Sequence, residues 1–303
     1  MKISVCIACH NQGHLLADAV DSCLKQEYED KEIIVLDDAS TDMTKDVMYR
    51  KYFDNPTVKH YRSDEPSGTG GAFNKAISYA TGDVIVLLCS DDVFNDTKVL
   101  SDIAEKFKSN PHLVHLSRYY HQFIDGDRSP VRAWRMDDVY ELANNPSGLA
   151  FRAKPIRDFG IELSNKMFVE AATMVHDLCM VGDSDILRYD TVAVRIHQSI
   201  SRSKDYYLKR WTSSPVEEWA KVGGSALAND FTSLIQIKNY FTIDAVIKEC
   251  VNFVKVKPKN IINPAFWFFS LVAILTPRWL LLKIPHWYRI TWGRAMTKEV
   301  KRP

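Results

Sequence analysis

Residues 84–94 read VIVLLCSDDVF, an apolar run that ends in two adjacent carboxylates, Asp91 and Asp92. The run follows a turn signal, Thr81-Gly82-Asp83, and a short apolar run bounded in this way is typical of a strand buried on both faces of a parallel sheet. Two neighbouring acids repel each other and lose hydration at the end of such a strand, so we expect a nearby group to offset that cost. The stretch therefore predicts a parallel sheet with a charged site at one end of this strand.

The segments on either side of this strand alternate between strand and helix patterns. The predicted strands span residues 3–8, 32–36, 58–61 and 84–88, and the predicted helices span residues 15–25, 41–52, 71–80 and 98–109. Such alternation is typical of βαβ units with right-handed crossovers, whose parallel sheets bind ligands beyond the carboxyl ends of the strands. Asp37-Asp38 follows the second strand, as Asp91-Asp92 follows the fourth. Either pair alone could be a solvated turn or a helix cap, but two pairs on one edge favour a binding site.

The composition is that of an ordinary globular protein. The 303-residue chain has a net charge of +1, which argues against a nucleic-acid-binding surface over the whole molecule. Most of its six cysteines lie in apolar segments, the pattern of buried thiols in a reducing compartment. Cys6 and Cys9 form a CxxC pair, but in a strand they point to opposite faces and cannot hold one ion. No signal peptide precedes the first strand, so we expect a cytoplasmic protein.

The second half of the chain has a less regular pattern. It carries a predicted strand at 113–120, a polar loop around 125–127, a predicted helix at 167–181 and an extended segment at 186–196. From about residue 204 the pattern is helical to the C-terminus, apart from loops. We therefore expect an α/β domain over residues 1–205, with a mostly parallel sheet flanked by helices, and a helical C-terminal region over residues 206–303.

Two blocks of the sequence resemble the family 2 glycosyltransferases, which have the GT-A nucleotide-sugar-binding fold. Residues 4–44 (SVCIACHNQGHLLADAVDSCLKQEYEDKEIIVLDDASTDMT) are similar to the family's opening, in which Asp-Asp-Gly-Ser follows the second strand, although Ala39 replaces the glycine. Residues 68–94 (GTGGAFNKAISYATGDVIVLLCSDDVF) are similar to the next block, which ends in Leu-Asp-x-Asp-Asp. The ordered set of elements extends the resemblance over residues 2–202, and it implies an inverting transferase that uses a nucleotide sugar.

The resemblance implies a metal site at the end of the fourth strand. In the family the Asp-x-Asp there holds a divalent cation, Mn²⁺ or Mg²⁺, which binds the donor's diphosphate. Asp91 matches the metal-side carboxylate and Asp92 its neighbour, which more often fixes the loop. Cys89 replaces the first Asp, and because a thiol is a poor ligand for these cations, it argues against tight metal binding. His197, in VRIHQSIS, matches the family's Arg-x-His-x-x-Ser and is expected to complete the metal shell or to contact the diphosphate.

The resemblance also implies a set of donor-binding residues. Asp37 and Asp38 match the pair that recognises the nucleoside, since a carboxylate accepts hydrogen bonds from a pyrimidine N–H or from ribose hydroxyls. Phe73 lies where the family often carries an arginine, so cationic support for the diphosphate would come from Lys75 or Arg62. The full donor-binding set is Asn11, Asp37, Asp38, Asn74, Ser90, Asp91, Asp92 and Arg195.

The catalytic base is expected at the start of the predicted helix before the Arg-x-His motif. The family has a Glu-Asp there, and counting back from Arg-Ile-His leads to Glu170, with Ala171 in place of the Asp. Glu170 would take the proton of the acceptor hydroxyl. Asp177, on the same helix, is the alternative base, and an acid in a first turn could also serve only the helix dipole. PSGLAFR resembles the family's acceptor-side loop, which implies that two residues lie near the reacting sugar, Ser147 and Gly148.

Residues 264–303 combine an apolar run with a basic end. The run FWFFSLVAIL, at 266–275, is too short to span a bilayer, and Pro277 with Arg278 interrupts it. Residues 278–303 contain seven Lys and Arg against one acid. This pattern suits a helix that lies in the interface of an anionic membrane. The alternative is a helix packed on the catalytic domain or on a dimer partner.

Together these observations predict a metal-assisted, inverting glycosyltransferase for cell-surface glycan synthesis. It would move a sugar from a nucleotide diphosphate sugar, preferably UDP-linked, to a hydroxyl of a glycan or lipid-linked glycan. Its place would be cytoplasmic, or peripheral on the inner face of the plasma membrane. A catalytically weakened nucleotide-sugar-binding protein is one alternative, suggested by Cys89, Phe73 and Ala171. A sugar-nucleotide pyrophosphorylase is another, but it should carry a basic glycine-rich loop after the first strand, where this chain has Cys9-His10-Asn11-Gln12.

Overall fold

The structure, a computed structural model, describes residues 1–124, 127–135, 142–143, 145–164, 170–196, 267 and 271. Its strands are β1 (Ile3–Cys9), β2 (Lys31–Asp37), β3 (Val58–Arg62), β4 (Val84–Cys89), β5 (Val93–Phe94), β6 (Leu113–Ile124), β7 (Asp127–Trp134), β8 (Ala150–Arg152) and β9 (Asp183–Ile196). Its helices are α1 (Gly13–Leu24), α2 (Thr44–Tyr52), α3 (Gly68–Tyr79), α4 (Val99–Ser109), α5 (Ala153–Phe159) and α6 (Glu170–Cys179).

One sheet joins the strands of the described residues in the order β3-β2-β1-β4-β8-β6-β9-β5, with β7 paired to β6. The first four strands of this order are parallel, whereas β8 runs antiparallel to β4 and to β6. The predicted α/β class, with a mostly parallel sheet flanked by helices, is confirmed. Apart from residues 267 and 271, the predicted helical region over residues 206–303 lies outside the described residues. Within the described part of the chain, no helix has both the length and the hydropathy to cross a bilayer.

The strands of the second half differ most from the predicted pattern. β7 and β8 form where the sequence pattern predicts no strand. The β7 sequence, DRSPVRAW, contains a proline and lacks an apolar alternation, and β8 is too short to show a period. α2 begins at Thr44 instead of Thr41. The Asp42 carboxylate accepts the Thr44 backbone N–H at 3.0 Å and so satisfies the first donor of the helix.

The described cysteines form no disulfide. Cys6, Cys9 and Cys23 are buried in the core, as their apolar surroundings in the sequence predict. Burial raises the pKa of the Cys9 thiol to about 11. These thiols therefore stay protonated at neutral pH and pack as small apolar groups.

β1 lies between β2 and β4, and its register brings the two acid pairs side by side at the carboxyl ends of these strands. Cys9 pairs with Asp37 on β2, and Ala8 pairs with Cys89 on β4. The ends of β2 and β4 are thus two strand spacings apart, about 10 Å. Both acid pairs therefore lie beyond the carboxyl ends of the parallel strands, the place where sheets of this kind bind ligands.

Glu32 stabilises the other end of these strands, where it is buried near the start of β2. Its Oε1 accepts hydrogen bonds from the Ser4 hydroxyl at 2.6 Å and the Thr81 backbone N–H at 2.7 Å. Its Oε2 forms ion pairs with Lys2 at 3.0 Å and Lys59 at 2.7 Å. Burial opposes ionisation of the carboxyl, but these four partners outweigh burial and hold the pKa of Glu32 well below its usual value. The carboxylate therefore ties β1, β3 and the turn before β4 to β2.

Glu32→Gln is expected to lower the free energy of unfolding at neutral pH by about 2–3 kcal/mol, because two lysines lose their counter-charge. The folded pKa lies below the ordinary value of 4.5. The carboxylate therefore stabilises the fold fully above that pH and less as the pH falls towards the folded pKa. In urea unfolding, the difference in the free energy of unfolding between wild type and Glu32→Gln should stay constant down to about pH 5.5. It should be smaller at about pH 3.5.

The exposed Glu29 provides the control for this measurement. Glu29→Gln is expected to change stability by less than about 0.5 kcal/mol, since it removes an exposed charge only. If the loss of unfolding free energy in Glu32→Gln does not change with pH, the carboxylate charge contributes nothing. The lost stability then comes from packing.

Candidate functional site

The loop after β1 reaches both acid pairs. His10 Nδ1 lies 2.6 Å from the Asp38 carbonyl oxygen, and Asn11 bonds to the turn that follows Asp38. Asn11, predicted to bind the donor, has a φ of 54°, a left-handed conformation that asparagine tolerates. Its backbone N–H donates to the Ser40 hydroxyl at 2.9 Å, and its side-chain oxygen accepts the Thr41 backbone N–H at 2.8 Å. Asn11 therefore holds the turn that follows Asp37 and Asp38, and its contact with a donor stays a prediction.

The next residue, Gln12, bonds to the other acid pair. Its side-chain N–H donates to the Asp91 carboxylate at 3.3 Å, and its side-chain oxygen accepts the Ser90 hydroxyl at 2.5 Å. Ser90, predicted to bind the donor, is fully buried and uses its hydroxyl in this bond. No motif singles out Gln12 in the sequence, because its partners lie 78 and 79 residues further along the chain. Residues 10–12 thus join the two halves of the site.

Asp37, predicted to recognise the nucleoside, is fully buried at the end of β2. One carboxylate oxygen accepts the Ser40 backbone N–H at 2.8 Å, and the other forms an ion pair with Arg62. Arg62 also donates to the Ser40 carbonyl at 2.7 Å. An arginine that the sequence suggests as support for the diphosphate therefore braces the turn after β2.

Asp38, the second acid of this pair, caps the helix that begins beside it. Its carboxylate accepts the Ser67 backbone N–H at 2.8 Å, the Ser67 hydroxyl at 2.7 Å and the Gly68 backbone N–H at 2.9 Å. These donors belong to the start of α3, where an anion is favoured. Asp37 and Asp38 thus shape the turn after β2 and the start of α3, and their direct contact with a nucleoside stays a prediction.

Cys89, Asp91 and Asp92 form the one group in the described part of the chain that is suited to a cation. One ligand atom from each lies within 4.8 Å of the others, with Cys89 and Asp91 half-buried and Asp92 buried. A carboxylate oxygen fits Mn²⁺ or Mg²⁺, and a bound Mg²⁺ often takes only one or two protein carboxylates, with phosphate oxygens and water as its other ligands. A thiol fits these cations poorly. The Asp91 carboxylate therefore fits the expected ion, and the Cys89 thiol does not.

Asp92 is held by the protein through both of its carboxylate oxygens. The Ser147 hydroxyl donates to one at 2.5 Å, and the Arg195 backbone N–H donates to the other at 2.9 Å. Only 2% of Asp92 is exposed. Asp92 therefore anchors the loop that presents Asp91, and its direct contact with the donor stays a prediction.

Ser147 and Gly148, predicted to lie on the acceptor side, pack against residues 89–92, the predicted metal-side loop. Ser147 is fully buried, and its hydroxyl accepts the Cys89 backbone N–H at 2.9 Å while it donates to Asp92. Gly148 has a φ of 85°, and a Cβ there would lie 2.5 Å from Val192 Cγ2, so glycine is required. The structure thus brings the predicted acceptor-side and metal-side loops into direct contact.

Arg195 lies near the end of β9 and is only 4% exposed. Its guanidinium donates to the Asp91 carbonyl at 3.1 Å and pairs with the Asp18 carboxylate on α1 at 2.6 Å. Arg195 therefore positions the backbone of Asp91, and its predicted contact with the donor stays a prediction. His197, the other residue predicted from the same motif, lies outside the described residues.

Asn74, predicted to bind the donor, links α3 to the segment before the candidate base. Its side-chain N–H donates to the Leu163 carbonyl and its side-chain oxygen accepts the Leu163 backbone N–H, both at 2.9 Å. Both ends of the amide are thus used within the protein. Asn74 fixes residues 161–164, and its contact with the donor stays a prediction.

α6 begins at Glu170, so the backbone places the predicted base in the first turn of a helix. The side chain of Glu170 lies outside the described part of the structure. Asp177, the alternative base, is exposed about two turns further along α6. The helix contacts β6 and α3, which also carries Asn74. Which of the two acids acts as the base stays a prediction.

A comparison with known families accounts for this arrangement. Residues 4–168, more than half of the chain, match the model described as glycosyl transferase family 2. The chain belongs to glycosyl transferase family 2. The match runs from β1 to the residues just before α6, and it includes both acid pairs of the site. The resemblance to this family is thereby confirmed, and nothing in it favours a pyrophosphorylase.

Curated relatives of this family 2 chain share about a third of it. The poly-β-1,6-N-acetyl-D-glucosamine synthase of Staphylococcus epidermidis is 33% identical over 111 residues, which cover 37% of this chain and 26% of that protein. The UDP-Glc:α-D-GlcNAc-diphosphoundecaprenol β-1,3-glucosyltransferase WfgD of Escherichia coli is 32% identical over 108 residues, which cover 36% of this chain and 42% of that protein. The matched region spans less than half the length of either relative.

Solved structures share the fold of this family 2 chain along most of its length. TarS of S. aureus in complex with UDP has a TM-score of 0.60 and 18% identity, and the match covers 98% of this chain and 88% of that chain. The mannosyltransferase PcManGT of Pyrobaculum calidifontis in complex with GDP-Man and Mn²⁺ has a TM-score of 0.57 and 18% identity, with 91% and 87% covered. The likeness confirms the GT-A fold.

The family 2 motifs contain the acids of the site but not all of the residues that hold them. Gln12 lies in the block that resembles the family's opening, but no motif singles it out, and Arg118 lies outside both blocks. Gln12 bonds to Asp91, and Arg118 bonds to the Ser147 carbonyl at 2.6 Å. A charged residue in the middle of the predicted strand at 113–120 is the signal that could have found Arg118, since arginine is rarely buried without a partner.

Proposed function

We propose that this chain is an inverting glycosyltransferase for cell-surface glycan synthesis that moves a sugar from a nucleotide diphosphate sugar, preferably UDP-linked, to a hydroxyl of a glycan or lipid-linked glycan. The observation that carries the proposal is the connection of the two acid pairs by residues 10–12, at one edge of a family 2 fold. The names of the relatives support the reaction class, since one is a poly-β-1,6-N-acetyl-D-glucosamine synthase and another uses UDP-Glc. Among the structural neighbours, TarS binds UDP and PcManGT binds GDP-Man.

The metal-side loop is proposed to bind the donor's diphosphate. Asp91 would hold Mn²⁺ or Mg²⁺ with His197 as a second protein ligand, and the ion would supply positive charge against the departing diphosphate. Gln12 keeps the Asp91 carboxylate in place, and Arg195 keeps its carbonyl in place. The nucleoside would then lie against the turn that Asn11 holds on the other side of β1.

Glu170 is proposed to take the proton of the acceptor hydroxyl. The hydroxyl would attack the sugar carbon from the face opposite the departing diphosphate, and this attack inverts the configuration of that carbon. The start of α6 at Glu170 supports the assignment, and Asp177 is the alternative. The acceptor would approach over Ser147 and Gly148, whose loop contacts the metal-side loop.

One observation favours a second candidate, a nucleotide-sugar-binding protein with weakened catalysis. Cys89 lies in the metal group at the position where a carboxylate is usual. Phe73 and Ala171 are the other departures from the family pattern, but the structure buries them at 0% and 1% exposure. Both are therefore packing residues, and Cys89 is the departure that bears on catalysis.

A thermal-shift screen across UDP-, dTDP- and GDP-sugars, with and without Mn²⁺, tests the proposal. A UDP-sugar should raise the Tm most, because a ligand that binds only the folded state stabilises it, and the rise should depend on Mn²⁺. The donors that bind are then assayed for hydrolysis and transfer. Mn²⁺-dependent turnover supports the transferase, binding without turnover supports the second candidate, and no shift with any donor contradicts both.

We also propose that residues 264–303 dock on an anionic membrane surface; apart from residues 267 and 271 they lie outside the described residues. The basic residues there would each add about 1 kcal/mol near such a surface. The full chain should float with vesicles that contain phosphatidylserine, and less so at high salt, because salt screens the charges. Vesicles of phosphatidylcholine alone are the control. Truncation near residue 262 should release the protein, and a chain that ignores anionic vesicles at every salt concentration contradicts the proposal.

A further inference from the structure

Arg118, in the middle of β6, is fully buried. Burial lowers the pKa of its guanidinium to about 10, so it remains a cation at neutral pH. It also stacks over the Tyr120 ring, with 4.8 Å between its Cζ and the ring centroid. Burial of a cation is costly unless hydrogen bonds and opposite charges stabilise it. The hydrogen bonds that Arg118 forms therefore have to offset the cost of burying its charge.

The hydrogen bonds described for Arg118 all go to the segment that contains the predicted acceptor-side loop. Its Nε donates to the Ser147 carbonyl at 2.6 Å, and its Nη1 donates to the Leu142 carbonyl at 3.0 Å. Its Nη2 donates to the Asn145 carbonyl at 2.8 Å and to the Asn145 side-chain oxygen at 3.1 Å. The planar guanidinium is suited to hold several oxygens at once, which the ammonium of a lysine cannot do in the same geometry.

Ser147 connects Arg118 to the metal-side loop. Its carbonyl accepts from Arg118, while its hydroxyl donates to the Asp92 carboxylate at 2.5 Å and accepts the Cys89 backbone N–H at 2.9 Å. The negative charge of Asp92 in turn helps to stabilise the buried guanidinium. Arg118, Ser147 and Asp92 thus form one continuous buried chain of contacts behind Asp91.

We infer that Arg118 is a positioning residue for the transfer reaction. Through Ser147 it fixes the Asp92 carboxylate, and Asp92 fixes the loop that presents Asp91. These contacts thereby fix the distance between the acceptor-side loop and the Asp91 carboxylate. This inference rests on the proposed function and adds to it a residue outside the family motifs, at a distance from the reacting atoms.

Arg152 provides a matched control. It also donates to three carbonyls, those of Leu113 at 2.8 Å, Phe107 at 3.0 Å and Asn110 at 3.1 Å, and it lies over the Phe107 ring at 5.2 Å. Arg152 pairs with Val84 at the start of β4, the end of that strand away from the site. Arg152 is only half-buried, so its loss should lower the stability of the fold by less than the loss of Arg118, without affecting the site.

The test compares Arg118→Lys with Arg152→Lys in the full chain. Calorimetry with UDP in the presence and absence of Mn²⁺ gives the metal-dependent part of the affinity, and steady-state kinetics give kcat and KM for the donor. Arg118→Lys is expected to weaken Mn²⁺-dependent UDP binding by about 10–100-fold, the range typical for residues that orient a metal ligand. It should also lower kcat by roughly 10²-fold, because the reacting groups are misplaced by about 1 Å. Arg152→Lys should change neither, although both variants are expected to lower the Tm.

Ser147→Ala removes the same connection from its other end and keeps the test decisive if Arg118→Lys does not fold. It should reproduce the loss of Mn²⁺-dependent UDP binding, and the double variant should be no worse than the more impaired single variant, since both changes break one chain of contacts. Additive losses of Mn²⁺-dependent UDP binding in the double variant would overturn the inference. So would losses of binding and kcat that are proportional to the loss of Tm in both Arg118→Lys and Arg152→Lys. Either result would leave the proposed function intact. A wild-type chain that binds no nucleotide sugar would overturn the proposed function, and this inference with it.

Discussion

Asp91→Ala is expected to abolish sugar transfer and to remove the Mn²⁺-dependent part of UDP binding while the fold stays intact. Its carboxylate is the half-buried oxygen donor in the group formed by Cys89, Asp91 and Asp92, and on the proposed function its loss would remove the main protein ligand of the ion. We expect kcat to fall by roughly 10³-fold or more, since the proposed ion would supply positive charge against the departing diphosphate. The fold should survive because the loop is anchored by Asp92 and by the bond from Arg195 to the Asp91 carbonyl. Calorimetry with UDP and Mn²⁺, transfer assays and circular dichroism measure the three effects.

Two further variants sharpen this prediction. Asp96→Ala removes an exposed acid just beyond β5 and should leave metal binding and turnover unchanged. Cys89→Asp restores the usual carboxylate and should tighten Mn²⁺ binding, because a carboxylate is the better ligand. Full activity of Asp91→Ala, or of the wild type in EDTA, contradicts the metal assignment. An unchanged Mn²⁺ affinity in Cys89→Asp would mean that residue 89 faces away from the ion.

Glu170→Gln is expected to lower the transfer rate by roughly 10²–10⁴-fold, the usual contribution of a general base. The amide keeps the shape and hydrogen-bonding capacity of the carboxylate but cannot take the acceptor's proton. Affinity for the donor should hardly change, because the loss falls on the chemical step and not on donor binding. Single-turnover kinetics together with the Kd for the donor separate the two effects.

Asp177→Asn is the matched comparison for this result, since it removes the other acid of α6. It should reduce the rate far less than Glu170→Gln does. The reverse ranking would assign the base to Asp177, about two turns further along the helix. Equal and small effects in both variants would place the base outside α6.

The first half of the fold could be predicted because its strands are buried on both faces. β1, β2 and β4 are near-continuous apolar runs, and each is bounded by turn or polar residues that mark its ends. β7 and β8 could not be predicted in this way. β8 is only three residues long, and β7 takes its stability from pairing with β6 and not from an apolar face of its own.

The acids of the site could be predicted because they follow strands whose order is set by local patterns. Their partners could not, since those contacts join residues far apart in the sequence. Ser147 and Asp92 are 55 residues apart, and Gln12 and Asp91 are 79 apart. Ser147 is part of a motif that resembles an acceptor-side loop, yet its hydroxyl is used inside the protein. A motif identifies a residue type at a position, whereas the direction of its side chain depends on the packed sheet.

Asn11 and Gln12 are neighbours in the chain, yet one bonds to the turn after β2 and the other to the turn after β4. On the proposed function, a redesign of donor preference therefore has to change both turns together. An exchange of the turn after β2 with that of a GDP-sugar relative would strain the adjacent peptide unit, and the strain would displace Asp91 although no residue near it had been altered. The segments that have to be exchanged together are the two turns and residues 10–12. Chimeras that exchange all three segments should keep their activity, whereas chimeras that exchange one alone should lose metal binding along with nucleotide preference.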